Sequence, residues 1–149
     1  MGQAGWRRSV YVLQRRKTPV TILELFDLPP MSPNCVDRRQ STVPTQALQM
    51  MNSDLLQQHS RYLGGRLIDE FGSDREKQIR ALYLRALSRP PTPQETQQAT
   101  GGIDALTKHW TAHLAQEKSD APVRSTAEWR ALSDFCKAML SSAEFLYVD

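Results

Sequence analysis

The stretch Asp54-Leu55-Leu56-Gln57-Gln58-His59-Ser60-Arg61-Tyr62-Leu63-Gly64-Gly65-Arg66-Leu67-Ile68-Asp69-Glu70-Phe71 decides the fold. Leu56, His59, Leu63, Leu67 and Phe71 recur every three or four residues, with Leu55 and Tyr62 beside them. That period marks a helix with one buried stripe. Ser53 stands before it as a cap, and Gly72 follows as a stop.

Downstream, three stretches have the spacing of a capping box: Ser73-Asp74-Arg75-Glu76, Thr92-Pro93-Gln94-Glu95 and Ser125-Thr126-Ala127-Glu128. In each, a hydroxyl can accept from the first turn while a glutamate reaches back. The first opens a helix with an apolar face of Ile79, Leu82, Tyr83, Ala86 and Leu87, stopped by Arg89-Pro90-Pro91. The second opens a helix that buries Ala99, Ile103, Leu106, Trp110 and Leu114. Gly101-Gly102 inside it costs roughly 1–2 kcal/mol of helix propensity against alanine, so a bend or break is expected there. The third opens a helix that buries Trp129, Leu132, Phe135, Cys136, Met139 and Leu140. Glu117–Arg124, with Pro122, reads as a surface loop, and the apolar tail Phe145–Val148 is expected to dock on the body.

Upstream the pattern weakens. Pro44 to Met51 reads as one short helix. Ser9–Leu13 is β-branched and aromatic, yet no second convincing strand exists to pair with it. Thr18-Pro19 can open a short helix through Phe26, and residues 28–42 form a long loop with three prolines. The expected fold is therefore mainly α: an irregular bundle of four or five helices with a mostly irregular N-terminal arm. One domain is expected, with residues 1–43 as the arm and residues 44–149 as the helical body.

The chain has 149 residues, 40% hydrophobic and 23% charged, which suits one soluble globular domain rather than disorder. No apolar run approaches the roughly 18 residues of a membrane helix. The net charge of +3 is unevenly spread. Residues 1–44 hold Arg7, Arg8, Arg15, Arg16, Lys17, Arg38 and Arg39 against Glu24, Asp27 and Asp37. Such a patch can attract phosphates, but arginines pairing with carboxylates of the helical part is the favoured reading. Trp6–Leu13 echoes a twin-arginine export signal, but the apolar run ends at Leu13 and Gln14-Arg15-Arg16-Lys17 follows. A signal segment needs about 7–15 apolar residues and a small-residue cleavage site, so no export signal is expected in the chain as written.

Few residues suggest chemistry. His109, His113 and Glu117 stand one turn apart, a spacing that can present metal ligands on one helix face. The core stripe Leu106, Trp110 and Leu114 leaves them on a wet flank, and no fourth ligand is indicated, so they are a weak metal candidate. His59 lies on the apolar stripe of its helix, and Arg38 and Arg39 precede the helix opening at Pro44. These three form the candidate polar cluster. No nucleophile has a base at suitable spacing, so catalysis by this segment alone is not expected. Nucleic-acid binding is not expected either, since the basic residues lie in a proline-bounded loop rather than along a helix face.

Arg7-Arg8-Ser9-Val10-Tyr11, Pro19, Leu25-Phe26-Asp27, Cys35, Arg38-Arg39, Ser41-Thr42, Pro44, Gln46-Ala47-Leu48 and Met51-Asn52 form a distinctive series. Leu87-Ser88-Arg89-Pro90-Pro91-Thr92 and Glu144-Phe145-Leu146-Tyr147-Val148-Asp149 extend it nearly to the chain end. The series resembles the C-terminal domain of unknown function in planctomycete surface and cytochrome-type proteins. Val43 stands where that pattern usually has threonine, and Ser88 stands for its glycine.

The resemblance implies a structural or interaction domain that terminates an exported multidomain protein, with upstream domains as its partners. An alternative it allows is a contribution of Arg38, Arg39 and His59 to a catalytic or electron-transfer site shared with upstream cytochrome-c-like domains. There is no Cys-x-x-Cys-His here, so any haem would sit on an upstream domain and no cofactor is expected in this chain. Cys35 and Cys136 both match cysteine positions of the pattern, and export would permit a disulfide between them. Such a bridge would close a loop of about 100 residues and contribute roughly 4–5 kcal/mol in the chain-entropy view.

Overall fold

A computed structural model describes residue 48, residues 50–117 and residues 126–146. The chain divides into two compact units, Met1–Gln46 and Ala47–Asp149, and the described residues belong to the second. The strand-like segment 9–13, the helix at 19–26, the loop 28–42 and the N-terminal arm as a whole lie outside them.

Among the described residues five helices follow one another: α1 Asp54–Phe71, α2 Arg75–Leu87, α3 Pro93–Glu117, α4 Ala127–Leu140 and α5 Ala143–Leu146. No strand occurs among the described residues. The mainly α fold expected from periodicity is what the described part shows. The turn holding Leu48, Met50 and Met51 is helical as well.

The capping chemistry sets the helix starts. Ser53 Oγ accepts from the Leu56 N–H at 3.5 Å and opens α1. Thr92 and Glu95 make the full reciprocal box at α3: the Glu95 N–H donates to Thr92 Oγ1 at 3.2 Å, and the Thr92 N–H donates to Glu95 Oε2 at 2.7 Å. The other two boxes slip by one residue. Asp74, not Ser73, caps α2 and accepts from the Lys77 N–H at 3.1 Å. Thr126, not Ser125, caps α4 and accepts from the Trp129 N–H at 3.3 Å. A carboxylate or hydroxyl placed directly before the first helical residue out-competes the serine one position earlier. Gly72 ends α1 with φ 57°, and its N–H donates to the Ile68 carbonyl at 2.8 Å.

α4 lies between α1 and α3 and packs most extensively against both. Leu67 of α1, Ile79 and Leu82 of α2, Ile103 of α3, and Leu132 and Cys136 of α4 are fully buried together, with Tyr83, Ala99, Ala131 and Met139 around them. Each such aliphatic side chain contributes about 1.5–3 kcal/mol by leaving water.

The tightest contact in this core involves small residues. On α1, Ser60 and Gly64 are buried with Leu56 and Leu67, whereas His59, Leu63 and Phe71 of the expected stripe are only half-buried. A Cβ on Gly64 would lie 2.7 Å from Ser133 Oγ and 3.1 Å from the Ser133 backbone nitrogen of α4. The helices therefore approach through Gly64, and only a residue without a side chain fits there. Ser60 Oγ and Ser133 Oγ each donate to a carbonyl of their own helix, to Gln57 at 3.0 Å and to Trp129 at 2.7 Å.

The break expected at Gly101-Gly102 does not occur. α3 runs as one helix through both glycines, which are exposed, while Ala99 and Ile103 on either side are buried. Packing of the opposite face holds the turn that propensity alone would weaken. In the tail, Phe145 is 37% exposed and Leu146 half-buried, and α5 packs against α2 and α4; residues 147–149 lie outside the described residues.

Candidate functional site

Two polar arrangements distinguish the described unit. The first is a joint at Arg89, directly after α2. Helix α2 ends at Ser88, whose φ of 57° and ψ of 19° place it in the left-handed region and turn the chain sharply. The turn aims Arg89 at α3 and α5. Its Nη1 and Nη2 donate to Glu95 at 2.9 and 2.7 Å, and its Nε and Nη2 donate to Glu144 at 2.6 and 3.0 Å. Nη1 also donates to the Pro90 carbonyl at 3.3 Å. A guanidinium has five N–H donors, and Arg89 uses all five. Its carbon also lies 5.5 Å from the centre of the Tyr83 ring, within cation–π range.

The electrostatics follow from this geometry. Hydrogen bonds from Arg89, with a further one from the Thr92 backbone, hold the Glu95 carboxyl down to about 2. Arg89 also lowers Glu144 below the usual carboxylate range, and the two carboxylates keep Arg89 even more firmly protonated. Burial raises the Tyr83 hydroxyl, with the charge of Glu95 as a smaller cause. A second polar bridge joins α1, α2 and α4. The fully buried Gln78 donates through Nε2 to the Gly72 carbonyl, and its Oε1 accepts from Arg75 at 2.8 Å. Arg75 continues to Glu128 at 3.3 Å.

The second arrangement is a trench on the surface formed by α1, α3 and α4. One hollow of about 280 Å³ is lined by Gln57, Arg61, Trp110, Trp129, Arg130, Ser133 and Asp134. Another of about 230 Å³ is lined by Arg61, Tyr62, Gly65, Arg66, Asp69 and Trp129. Arg61 and Trp129 belong to both. The Trp129 indole N–H donates to the Arg61 carbonyl at 3.2 Å, and its ring lies over Gly65, where a Cβ would sit 3.4 Å from Nε1. The Trp110 indole N–H donates to Asp134 at 2.7 Å, and Arg130 lies 4.9 Å from the Trp110 ring centre.

Of the candidates named from the sequence, His59, His109, His113 and Cys136 have described side chains. Arg38, Arg39 and Cys35 lie outside the described residues. His59 is half-buried on α1 and lines neither hollow. Cys136 is a fully buried thiol, and burial pushes it up to about 12. His109 and His113 are exposed on α3 with ring centres 6.4 Å apart, and each stacks edge-on near Trp110. Nothing is described of the Glu117 side chain, and no three potential metal ligands converge among the described residues.

Leu87–Thr92 and the segment beginning at Glu144, two of the stretches that carry the resemblance, thus meet at one arginine. A family model described as "PSD1: Protein of unknown function (DUF1553)" matches residues 1–102. The chain belongs to this family. The match takes in α1, α2, Arg89 and Glu95 and ends inside α3 of this PSD1-family chain. No curated protein and no solved structure matches the chain. No helix among the described residues is long and apolar enough to cross a membrane.

The sequence reading missed the importance of Arg89, Gln78 and the trench. Arg89 entered as a helix stop and as part of the Leu87–Thr92 stretch, with no partner assigned to it, although the Glu three residues after Thr92 was visible. Nothing in the local pattern marks Gln78, whose partners come from a cap and a neighbouring turn. Trp110 and Trp129 were assigned wholly to the core, while each keeps part of its surface at the trench.

Proposed function

We propose that this PSD1-family chain is a structural or interaction module that terminates an exported multidomain protein of planctomycete type. Its partners are upstream domains, cytochrome-c-like ones among them, and any haem resides there. The observation that carries this reading is the Arg89 joint. Four of the five donors of Arg89 fasten the end of α2 to α3 and α5, and the fifth binds the neighbouring Pro90 carbonyl. Strongly displaced titratable groups often mark catalytic centres. Here Arg89 and Glu95 displace each other within a fastening, and Cys136 is a thiol kept protonated by burial, which makes it a poor nucleophile.

The test is the size and location of the native polypeptide. Source cells are fractionated and probed with an antibody to residues 54–146. A polypeptide much larger than 16.9 kDa in the envelope fraction is expected. A band near 16.9 kDa in the cytoplasm would overturn the reading.

A further inference from the structure

The last helix is attached differently from the rest. α5 has four residues, none of them buried. It packs against α2 and α4, with Phe145 37% exposed and Leu146 half-buried. A single helical turn does not hold itself together in water, so its order depends on what it rests against. α4 needs nothing from α5 in return. The Ser141 N–H donates to the Lys137 carbonyl at 3.0 Å, the Ser142 N–H to the Met139 carbonyl at 3.1 Å, and Ser142 Oγ to that same carbonyl at 2.7 Å. These bonds satisfy the last turn of α4 before α5 begins.

Arg89 meets its two glutamates on separate edges. Glu95 takes the end formed by Nη1 and Nη2, and the Thr92 N–H holds the same carboxylate at 2.7 Å. Glu144 takes the edge formed by Nε and Nη2, and its side chain is 51% exposed. Release of Glu144 therefore leaves both bonds from Arg89 to Glu95 in place. We propose that α5 is a strap that opens by itself while α1 to α4, and the joint between α2 and α3, stay closed. Glu144 is its catch, an exposed ion pair of modest strength that salt screens. Opening carries Phe145 and Leu146 into water and bares the Nε edge of Arg89 near the Tyr83 ring. Elements that move in switching are drawn from such weakly held parts of a fold.

The test is amide hydrogen exchange read residue by residue by NMR on the full 149-residue chain. The strap reporters are Phe145 and Leu146, whose N–H groups donate to the Ser142 carbonyl at 3.2 and 3.1 Å. Ile79, Ile103 and Leu132 report on the core, and Glu95 and Thr96 on the joint. The strap amides are expected to exchange about a hundredfold faster than the core amides, or more. Their rates should stay flat in urea below the unfolding transition, because a small opening exposes little surface, while the core amides quicken. Glu144→Gln should speed the strap amides by about twofold to fivefold and leave Glu95, Thr96 and the core unchanged. Raising the salt to about 1 M should speed them in the wild type and not in that variant. Any of three results overturns the strap: strap amides that answer urea as steeply as the core, strap amides unmoved by Glu144→Gln, or joint amides that quicken with them in that variant.

Discussion

Gly64→Ala is the most direct probe of the packing that shapes this unit. The added methyl would sit 2.7 Å from Ser133 Oγ, 3.1 Å from its backbone nitrogen and 3.2 Å from its Cα. The hydroxyl can rotate away only by giving up its 2.7 Å bond to the Trp129 carbonyl, worth roughly 1 kcal/mol. The backbone atoms can move only if α4 moves, and overpacking of this kind costs about 1–3 kcal/mol. Alanine returns about 1 kcal/mol of helix propensity. The net expectation is a loss of about 1–3 kcal/mol, which lowers Tm by roughly 5–15 °C for a unit near 100 residues. Gly101→Ala and Gly102→Ala supply the control on another helix, because nothing lies within 4 Å of either new methyl. Each should stabilise by about 0.5–1 kcal/mol. The assay is urea and thermal unfolding followed by far-ultraviolet circular dichroism. If Gly64→Ala is as stable as the wild type or more so, the close approach of α1 and α4 is refuted.

Ser88→Gly should stabilise by about 1 kcal/mol, since glycine carries no penalty in the left-handed region; an unchanged urea midpoint would contradict the φ of 57°. Gln78→Ala leaves the Gly72 carbonyl without its side-chain donor and should cost about 2–3 kcal/mol by the same assay. The folded pKa values of Glu95 and Glu144 lie below their unfolded values. The stability they contribute is therefore present above the ordinary carboxylate range and lost as pH falls through the folded values, about 2 for Glu95. Tm should drop between roughly pH 5 and pH 2, and less steeply in Arg89→Ala than in the wild type. Cys136 should resist iodoacetamide at neutral pH until urea unfolds the unit; rapid labelling of native protein at that position, mapped by mass spectrometry, would contradict its burial.

The four long helices were legible because each carries a local cap or apolar period, whereas the short α5 was read only as a docking tail. Thr92 and Glu95 lie within one turn, and the apolar period of 54–71 needs no distant partner to be read. What escaped the sequence depends on residues far apart. Ser60 and Gly64 look polar or neutral by composition, yet they form the face where two helices come closest, because close approach rewards the absence of bulk rather than hydrophobicity. Gly101-Gly102 looked like a break for the opposite reason: propensity was visible, and the packing of Ala99 and Ile103 that overrides it was not. Arg89 could be read as a stop signal, but Glu144, 55 positions away, could not be assigned to it. The trench was illegible for the same reason, since its walls come from three separate helices.

The pairing of α1 with α4 has a consequence for the chain as it is made. Trp129 and Arg61, which touch across that contact, are 68 positions apart. At about 5–20 residues per second of synthesis, α1 leaves the ribosome roughly 3–14 s before its principal partner exists. Throughout that interval Leu56 and Leu67 have no α4 to cover them. A chaperone that recognises short apolar helices has its opportunity then, and a nascent chain arrested inside α3 would display that face indefinitely.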